Sequence, residues 1–349
     1  MSEQQLENVK QKEMDEDRTL VEVKNLRKYF PVESGFIANL LSQGEIPTLQ
    51  AVDGVNFSIK KGEVFGLAGE SGSGKSTIGR LILRLLDPTG GKVIFDDVDL
   101  STLDQEEMRQ LRSRMQLVFQ DPLASLNPRM TIGRAVQHPA DIHFQGMTDR
   151  ERKVRVFEIL EAVGLVPPEN FYDLYPHQVS GGQRQRIVLA RALVTRPELI
   201  VADEPIAMAD VSVRALLLEL MLDLKEEFDL TYLYITHDLA TAKYICDRIG
   251  ILYLGKLAEV GDIDELFSNP LHPYTQALLA AVPVPDPRRR RTEPLPEGEI
   301  PNPVNPPSGC RFHPRCPYAE QRCVDEEPAL RELKPGHFAA CHFAEQFVE

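Results

Sequence analysis

The sequence has 349 residues, enough at about 150 residues per domain for two domains or one large domain with an appendage. Apolar residues make up 42% and charged residues 26%, the balance of a folded chain, which excludes disorder along the whole length and a collagen-like or membrane-spanning protein. With 39 Lys and Arg against 53 Asp and Glu the formal charge is −14, so the global field repels phosphate backbones and nucleic acid is not an expected partner.

Residues 1–18 read as a charged, mobile N-terminus without the apolar core of a leader peptide. No later stretch reaches the roughly 18 unbroken apolar residues that a spanning helix needs. The chain is therefore expected in the cytoplasm, touching a membrane only as a peripheral partner. Leu20-Val21-Glu22-Val23 alternates like an edge strand, and Val52 to Ile59 alternates again. The stretch 33–50 between them is expected to be a long hairpin connection, its Phe36–Leu41 piece packing on its own domain.

From Glu63 an apolar run, a Gly-rich turn and a helical stretch from Ser76 to Leu86 follow one another. Leu199–Ala202 and Thr231–Ile235 are apolar without polar alternation, as in parallel strands buried on both faces and covered by helices. Residues 121–180 read as an inserted helical subdomain. Nine prolines fall between Pro283 and Pro307, with Arg288 to Arg291 in their midst; so many prolines resist helix and sheet and predict an extended linker. Four of the five cysteines, Cys310, Cys316, Cys323 and Cys341, come after it. In a cytosolic chain such clustering points to a metal or cluster before disulfides.

Gly69-Glu70-Ser71-Gly72-Ser73-Gly74-Lys75-Ser76 fits G-x-x-x-x-G-K-[ST] between a predicted strand and a predicted helix. In that setting backbone N–H groups of Gly69, Ser71, Gly72, Ser73, Gly74, Ser76 and Thr77 face phosphates at a helix N-terminus. Lys75 reaches the β- and γ-phosphates and Ser76 offers its hydroxyl to Mg²⁺. A structural Gly-rich turn would leave Lys75 unexplained. The strand Leu199–Ala202 delivers Asp203 and Glu204 at its C-terminal end, where open α/β sheets bind ligands. Asp203 would hold Mg²⁺ and Glu204 would polarise an attacking water, although such a pair also marks a strand running into a turn. Ser180-Gly181-Gly182-Gln183 opens a second helix and reads either as another phosphate site or as an ordinary Ser N-cap. Two phosphate sites imply two nucleotides, or one nucleotide shared between two chains.

On these motifs the sequence resembles the ATP-binding subunits of ABC transporters over nearly all of residues 20–349. The family signature stands here as Val179-Ser180-Gly181-Gly182-Gln183. The resemblance implies that Gln120 senses Mg²⁺ and the water, that His237 hydrogen-bonds the γ-phosphate, and that Phe30 stacks on adenine, with Tyr29 as the neighbouring candidate. Asp121-Pro122-Leu123-Ala124-Ser125-Leu126-Asn127-Pro128-Arg129 and His272-Pro273-Tyr274-Thr275 look like the oligopeptide and dipeptide importers. The implied fold is an α/β P-loop ATPase domain over 19–270, with a mixed sheet core, an antiparallel edge subdomain and the helical subdomain. A C-terminal extension with the Cys cluster follows over 271–349. The implied partners are a second, homologous ATPase forming a heterodimer, two membrane permeases and an external solute-binding protein, with the chain on the cytoplasmic face of the membrane.

After Pro205 the family usually has a Ser-Ala-Leu-Asp-like loop that crosses the dimer interface; this chain has Ala207-Met208-Ala209-Asp210, so the two composite ATP sites are expected to be unequal. The cysteine spacing C-x5-C-x6-C-x17-C lacks the short C-x2-C pairs that zinc knuckles favour. Four thiolates at such spacing can enclose a cubane, and the resemblance implies a [4Fe-4S] cluster, with zinc or plain thiols as alternatives and His313, His337 and His342 nearby. Cys246 is expected in the core. The rival readings are a soluble ABC protein of DNA repair or translation, disfavoured by the absence of a coiled-coil insertion or second cassette, and a P-loop kinase, which has no use for Ser180–Gln183.

Overall fold

In chain order the strands are β1 (Thr19–Pro31), β2 (Thr48–Lys60), β3 (Val64–Ala68), β4 (Gly90–Phe95), β5 (Val98–Asp99), β6 (Met115–Val118), β7 (Leu199–Asp203), β8 (Thr231–Thr236), β9 (Arg248–Tyr253), β10 (Lys256–Asp262), β11 (Arg331–Lys334) and β12 (His337–Ala339). This computed structural model describes residues 18–32, 47–282, 299 and 301–348. The Phe36–Leu41 piece, Arg288 to Arg291 and nearly all of the N-terminal segment lie outside the described residues.

The chain divides into two compact units. The first is built chiefly from Asp99–Ile235 with Ile59–Val64. Here β6, β7 and β8 run parallel, in register from Met115↔Leu199 to Val118↔Ala202 and from Leu199↔Thr231 to Asp203↔Ile235. Leu199–Ala202 and the whole of β8 are buried, which is why the sequence shows unbroken apolar runs there. The helices begin where local chemistry caps them. Thr148 and Glu151 form a capping box at Asp149–Ala162, as do Ser180 and Gln183 at Gly181–Leu193, each satisfying two backbone donors that the first turn leaves without partners.

The second unit comprises Val21–Ser58, Phe65–Val98 and Thr236–Glu349. One of its sheets has the order β2-β1-β4-β5, with β1 antiparallel to β4 from Val21↔Phe95 to Arg27↔Gly90. In the other, β3 runs parallel to β9, β9 turns back antiparallel into β10, and β10 pairs with β12, which pairs with β11. The C-terminal residues are thus sewn into this sheet through Glu259↔Ala339 and Val260↔Phe338. A small core of Leu271, Ala339, Cys341 and Ala344 backs the junction.

The buried carboxylate of Glu259 secures it further. It accepts the N–H groups of Leu271 (2.7 Å) and His272 (2.9 Å) and lies 2.7 Å from His337 Nε2. Three partners compensate a charge that burial alone would penalise heavily. His272 is buried and its pKa is pushed down to about 4 by burial, so it stays neutral and its Nδ1 accepts the Tyr274 N–H at 3.0 Å, capping the helix Pro273–Ala281. Cys246 is buried as expected, with its Sγ against Gly66.

Candidate functional site

The phosphate loop belongs to the second unit. β3 is buried along its length, and the chain leaves it through Gly69 (φ +151°), Gly72 (φ +78°) and Gly74 (φ +109°) into the helix Lys75–Ile82. At Gly74 a Cβ would run into the carbonyl oxygen of Ala51, so the position demands glycine on two grounds. Lys75 is buried, and its Nζ donates to the carbonyls of Gly69 (2.7 Å) and Glu70 (2.9 Å). The Ser73 N–H donates to Glu70 O at 3.2 Å, and Ser73 O accepts the Gly255 N–H at 2.8 Å. Ser71 and Gly72 are exposed, whereas Ser76 and Thr77 are half-buried in the first turn of the helix.

Other expected residues of this unit flank the loop in sequence. Phe30 is half-buried near the end of β1, with Lys28 Nζ 5.1 Å from its ring centroid. The neighbouring Tyr29 is tethered, its hydroxyl donating to Asp53 Oδ1 at 2.5 Å. His237 is exposed on the turn after β8. That turn is fixed by the Asp238 N–H donating to Thr236 Oγ1 (3.0 Å) and by the Asp238 carboxylate, which caps the helix Leu239–Ile245.

The carboxylates belong to the first unit. Asp203 is the last residue of β7, and Glu204 follows at φ +48° with its N–H on the Ile235 carbonyl at 2.9 Å. A non-glycine residue held there is strained by about 1–3 kcal/mol, the kind of strain that gathers at functional positions. Gln120 Nε2 donates to Glu204 Oε2 at 2.8 Å, so two residues singled out separately come together. Ser180 begins the helix Gly181–Leu193: its Oγ accepts the Gln183 N–H at 3.3 Å, and Gln183 Oε1 accepts the Ser180 N–H at 2.9 Å. Ser180 and Gly181 are exposed at that end. The N-cap role and a role toward phosphate are compatible, because a capping side chain engages only part of the first-turn N–H groups that lack intrahelical partners. The side-chain amide of Gln185 donates to the Pro205 carbonyl, linking the signature helix to the segment after Glu204. In that segment the Ala207 N–H returns to Glu204 O at 3.2 Å, and Met208 is exposed.

Taken by themselves, the Ser76 hydroxyl in the second unit and the Asp203 carboxylate and Gln120 side-chain carbonyl in the first are hard oxygen donors of the kind Mg²⁺ takes. The ion would neutralise charge developing on the transferred phosphoryl group.

The four C-terminal cysteines stand near enough to sense one another. Burial, joined by the other three thiols, pushes Cys310 up to about 12. Burial, with Cys341 and Cys323, takes Cys316 to about 11, and burial also raises Cys341. The N–H of the residue two further on faces the sulfur in each of these three: Phe312 for Cys310, Tyr318 for Cys316 and Phe343 for Cys341, the last at 3.4 Å. Among the described residues no three Cys, His, Asp or Glu side chains are set to hold a single metal ion.

Several residues that the motifs do not specify prove central. Arg315 pairs with the Glu70 carboxylate at 3.0 and 3.2 Å, Tyr274 accepts the Glu70 N–H at 3.0 Å, and Arg311 donates to Asp53 Oδ2 at 2.5 Å. Both arginines lie inside the first cysteine spacing, where sequence offers no signal beyond their charge.

Against known proteins, the ABC transporter family model matches residues 52–207, and the oligopeptide/dipeptide transporter C-terminal region matches residues 258–323. The oligopeptide transport ATP-binding protein AppF of Bacillus subtilis is 50% identical over 327 residues, spanning 93% of this chain and 97% of that protein. A putative peptide import ATP-binding protein of Brucella ovis is 49% identical over 322 residues, spanning 92% and 97%. Among solved structures, the dimeric post-hydrolysis state of the ATP-binding cassette MJ0796 bound to ADP and Pi superposes with a TM-score of 0.61 at 32% identity, covering 70% of this chain and 99% of that one.

Proposed function

The chain belongs to the ATP-binding subunits of ABC transporters, in the branch that carries the oligopeptide/dipeptide C-terminal region, and from that premise we propose that it hydrolyses ATP to energise the import of peptides or a related small solute. The observation that carries the hydrolytic part is the Gln120–Glu204 hydrogen bond at 2.8 Å, which pairs a water-sensing amide with a carboxylate able to polarise that water. Phosphates would lie on Gly69–Thr77 with Lys75, adenine on Phe30, Mg²⁺ on Ser76, Asp203 and Gln120, and the γ-phosphate by His237. Ser180–Gln183 would close over the ATP of a second, homologous ATPase. The dimeric form of MJ0796 with ADP and Pi supports that reading. Residues 19–270 would form the ATPase part, with the helical subdomain at about 121–180, and 271–349 the extension.

Closure of the two ATPases would drive two membrane permeases from the cytoplasmic face, and hydrolysis would reset them. No helix among the described residues is long and apolar enough to cross a membrane; translocation is assigned in this proposal to the two permeases. A heterodimer is the arrangement we favour, because Ala207 and Ala209 make this chain's contribution to the interface unlike the family's usual one. Purifying the intact complex with its external solute-binding protein, and identifying the eluted solute by mass spectrometry, should yield short peptides. A sugar or a metal chelate would replace the peptide assignment while leaving the ATPase one.

Cys310, Cys316, Cys323 and Cys341 would hold a [4Fe-4S] cluster rather than zinc. Mutual proximity of the four thiols and the N–H groups aimed at three of them support this, since such donors stabilise the anionic sulfurs of a cluster. Its contribution would be folding energy for a region whose apolar clusters, such as Leu271, Ala339, Cys341 and Ala344, are small. Anaerobically purified protein should be brown with about four irons per chain, and Cys323→Ser should remove the colour. Colourless protein with one zinc per chain would overturn the cluster.

A further inference from the structure

We infer that the loop carrying Cys310 and Cys316 is a clamp on the nucleotide site, in which Arg315 and Tyr274 are positioning residues for the phosphate loop and Arg311 holds the strand that walls it. The inference rests on the reading that Gly69–Ser76 hold the phosphates of ATP.

Glu70 occupies the first unspecified position of the phosphate-loop motif, where a carboxylate has no favourable business with a triphosphate. In this chain three of its groups are engaged. Its N–H donates to the Tyr274 hydroxyl at 3.0 Å, and its carboxylate takes both terminal nitrogens of Arg315 at 3.0 and 3.2 Å. Its carbonyl accepts Lys75 Nζ at 2.9 Å and the Ser73 N–H at 3.2 Å. Glu70 therefore joins Arg315 on one side to the phosphate-binding lysine on the other. A forked Arg–carboxylate pair fixes orientation as well as distance. Here the Arg315 side chain is only 9% exposed, so solvent screens the pair far less than it would at the surface.

Arg315 is itself held rigidly. Its guanidinium carbon lies 5.9 Å from the ring centroids of both Tyr253 and Phe312. Those rings pack with Tyr274 at centroid separations of 4.6 Å (Tyr253–Tyr274), 5.4 Å (Tyr253–Phe312) and 5.3 Å (Tyr274–Phe312). Such packing adds to plain burial and resists rearrangement. Pairing with Arg315 also offsets a negative charge that would otherwise stand beside the bound polyphosphate.

The second arm starts four residues earlier. Arg311 is 7% exposed and donates to the Leu254 carbonyl, to Gln50 Oε1 at 2.6 Å and to Asp53 Oδ2 at 2.5 Å. Between Gln50 and Asp53 lies Ala51, whose carbonyl oxygen is the wall against Gly74. Asp53 also receives the Tyr29 hydroxyl, next to the aromatic expected on adenine. One short turn, closed at its ends by two cysteines, thus grips both the phosphate loop and the segment that bounds it. Phosphate affinity depends on N–H groups converging on one point, so loosening this turn should weaken ATP binding before it affects the chemical step.

The test is a titration of the full-length chain with Mg²⁺ and the fluorescent analogue mant-ATP, with thermal melting of each variant measured without nucleotide. Arg315→Gln should weaken binding at least fivefold with its melting temperature kept, and Arg315→Lys should fall between it and the wild type. Combined with Glu70→Gln, the loss should be no larger than for Arg315→Gln alone, because the partner is already gone. Should Arg315→Gln melt early, Glu70→Gln tests the pair from the other side, with at least threefold weaker binding expected. In the assembled transporter Arg315→Gln should raise the KM for ATP at least fivefold and change kcat less than twofold. Affinity within twofold of wild type in a well-folded Arg315→Gln or Glu70→Gln, or losses that multiply in the double variant, would overturn the clamp. Lys75→Ala separates the two readings: if it binds like wild type the phosphate-loop assignment fails, and if it alone weakens binding only the clamp fails.

Discussion

Replacing Gly74 with alanine is expected to weaken ATP binding by at least tenfold while leaving the thermal transition of the nucleotide-free chain within a few degrees of wild type. The residue sits at φ +109°, a conformation that costs an L-residue about 1–3 kcal/mol. The added Cβ would also meet the Ala51 carbonyl oxygen well inside van der Waals contact. Both partners in that collision are backbone, so no rotamer change relieves it, and the loop has to shift. The shift falls on the turn that launches the helix Lys75–Ile82, whose N–H groups and lysine are proposed to converge on the phosphates. About 1.4 kcal/mol is a factor of ten in affinity, so a tenfold loss follows if restoring the binding geometry from the shifted loop costs about that much. Gly72→Ala is the internal comparison. Its φ is +78°, but a Cβ there meets nothing within 4 Å, so it should lose several-fold less affinity. Calorimetric titration of both variants reads the difference directly, and equal affinity in Gly74→Ala and wild type would mean that the loop does not hold the phosphates.

The strand–turn–helix geometry at Gly69–Ser76 was legible because everything that defines it is local: an apolar strand, glycines where φ is positive, and a helix beginning at Lys75. The same holds for β7 and β8, whose burial on both faces leaves an unbroken apolar signature, and for the Ser180–Gln183 capping box. What sequence reading missed is long-range and polar. Gln120 and Glu204 lie 84 positions apart, and nothing in either segment encodes their hydrogen bond. β12 is three residues long, too short to show a period, so the C-terminal residues read as a tail on a linker although they complete the sheet at β10. Glu259 is fully buried and reads as a surface charge until its three partners are found. Arg311 and Arg315 read as solvated charges between cysteines for the same reason: a charged residue declares its burial only through its counter-ion, and these counter-ions, Asp53 and Glu70, lie some 250 residues upstream.

Glu204 is proposed to polarise the water that hydrolyses ATP for import, and Glu204→Gln in the assembled transporter tests that role most directly. Glutamine preserves the side chain's length and can still accept the hydrogen bond from Gln120 Nε2, and the backbone at φ +48° remains anchored to the Ile235 carbonyl. What it loses is the negative charge proposed to polarise the attacking water. Mant-ATP affinity should therefore stay within twofold of wild type. Steady-state turnover should fall at least tenfold, a barrier increase of about 1.4 kcal/mol or more, and ATP-dependent peptide uptake into vesicles should fall in proportion. Turnover and uptake at wild-type rates, with the same affinity, would contradict the account.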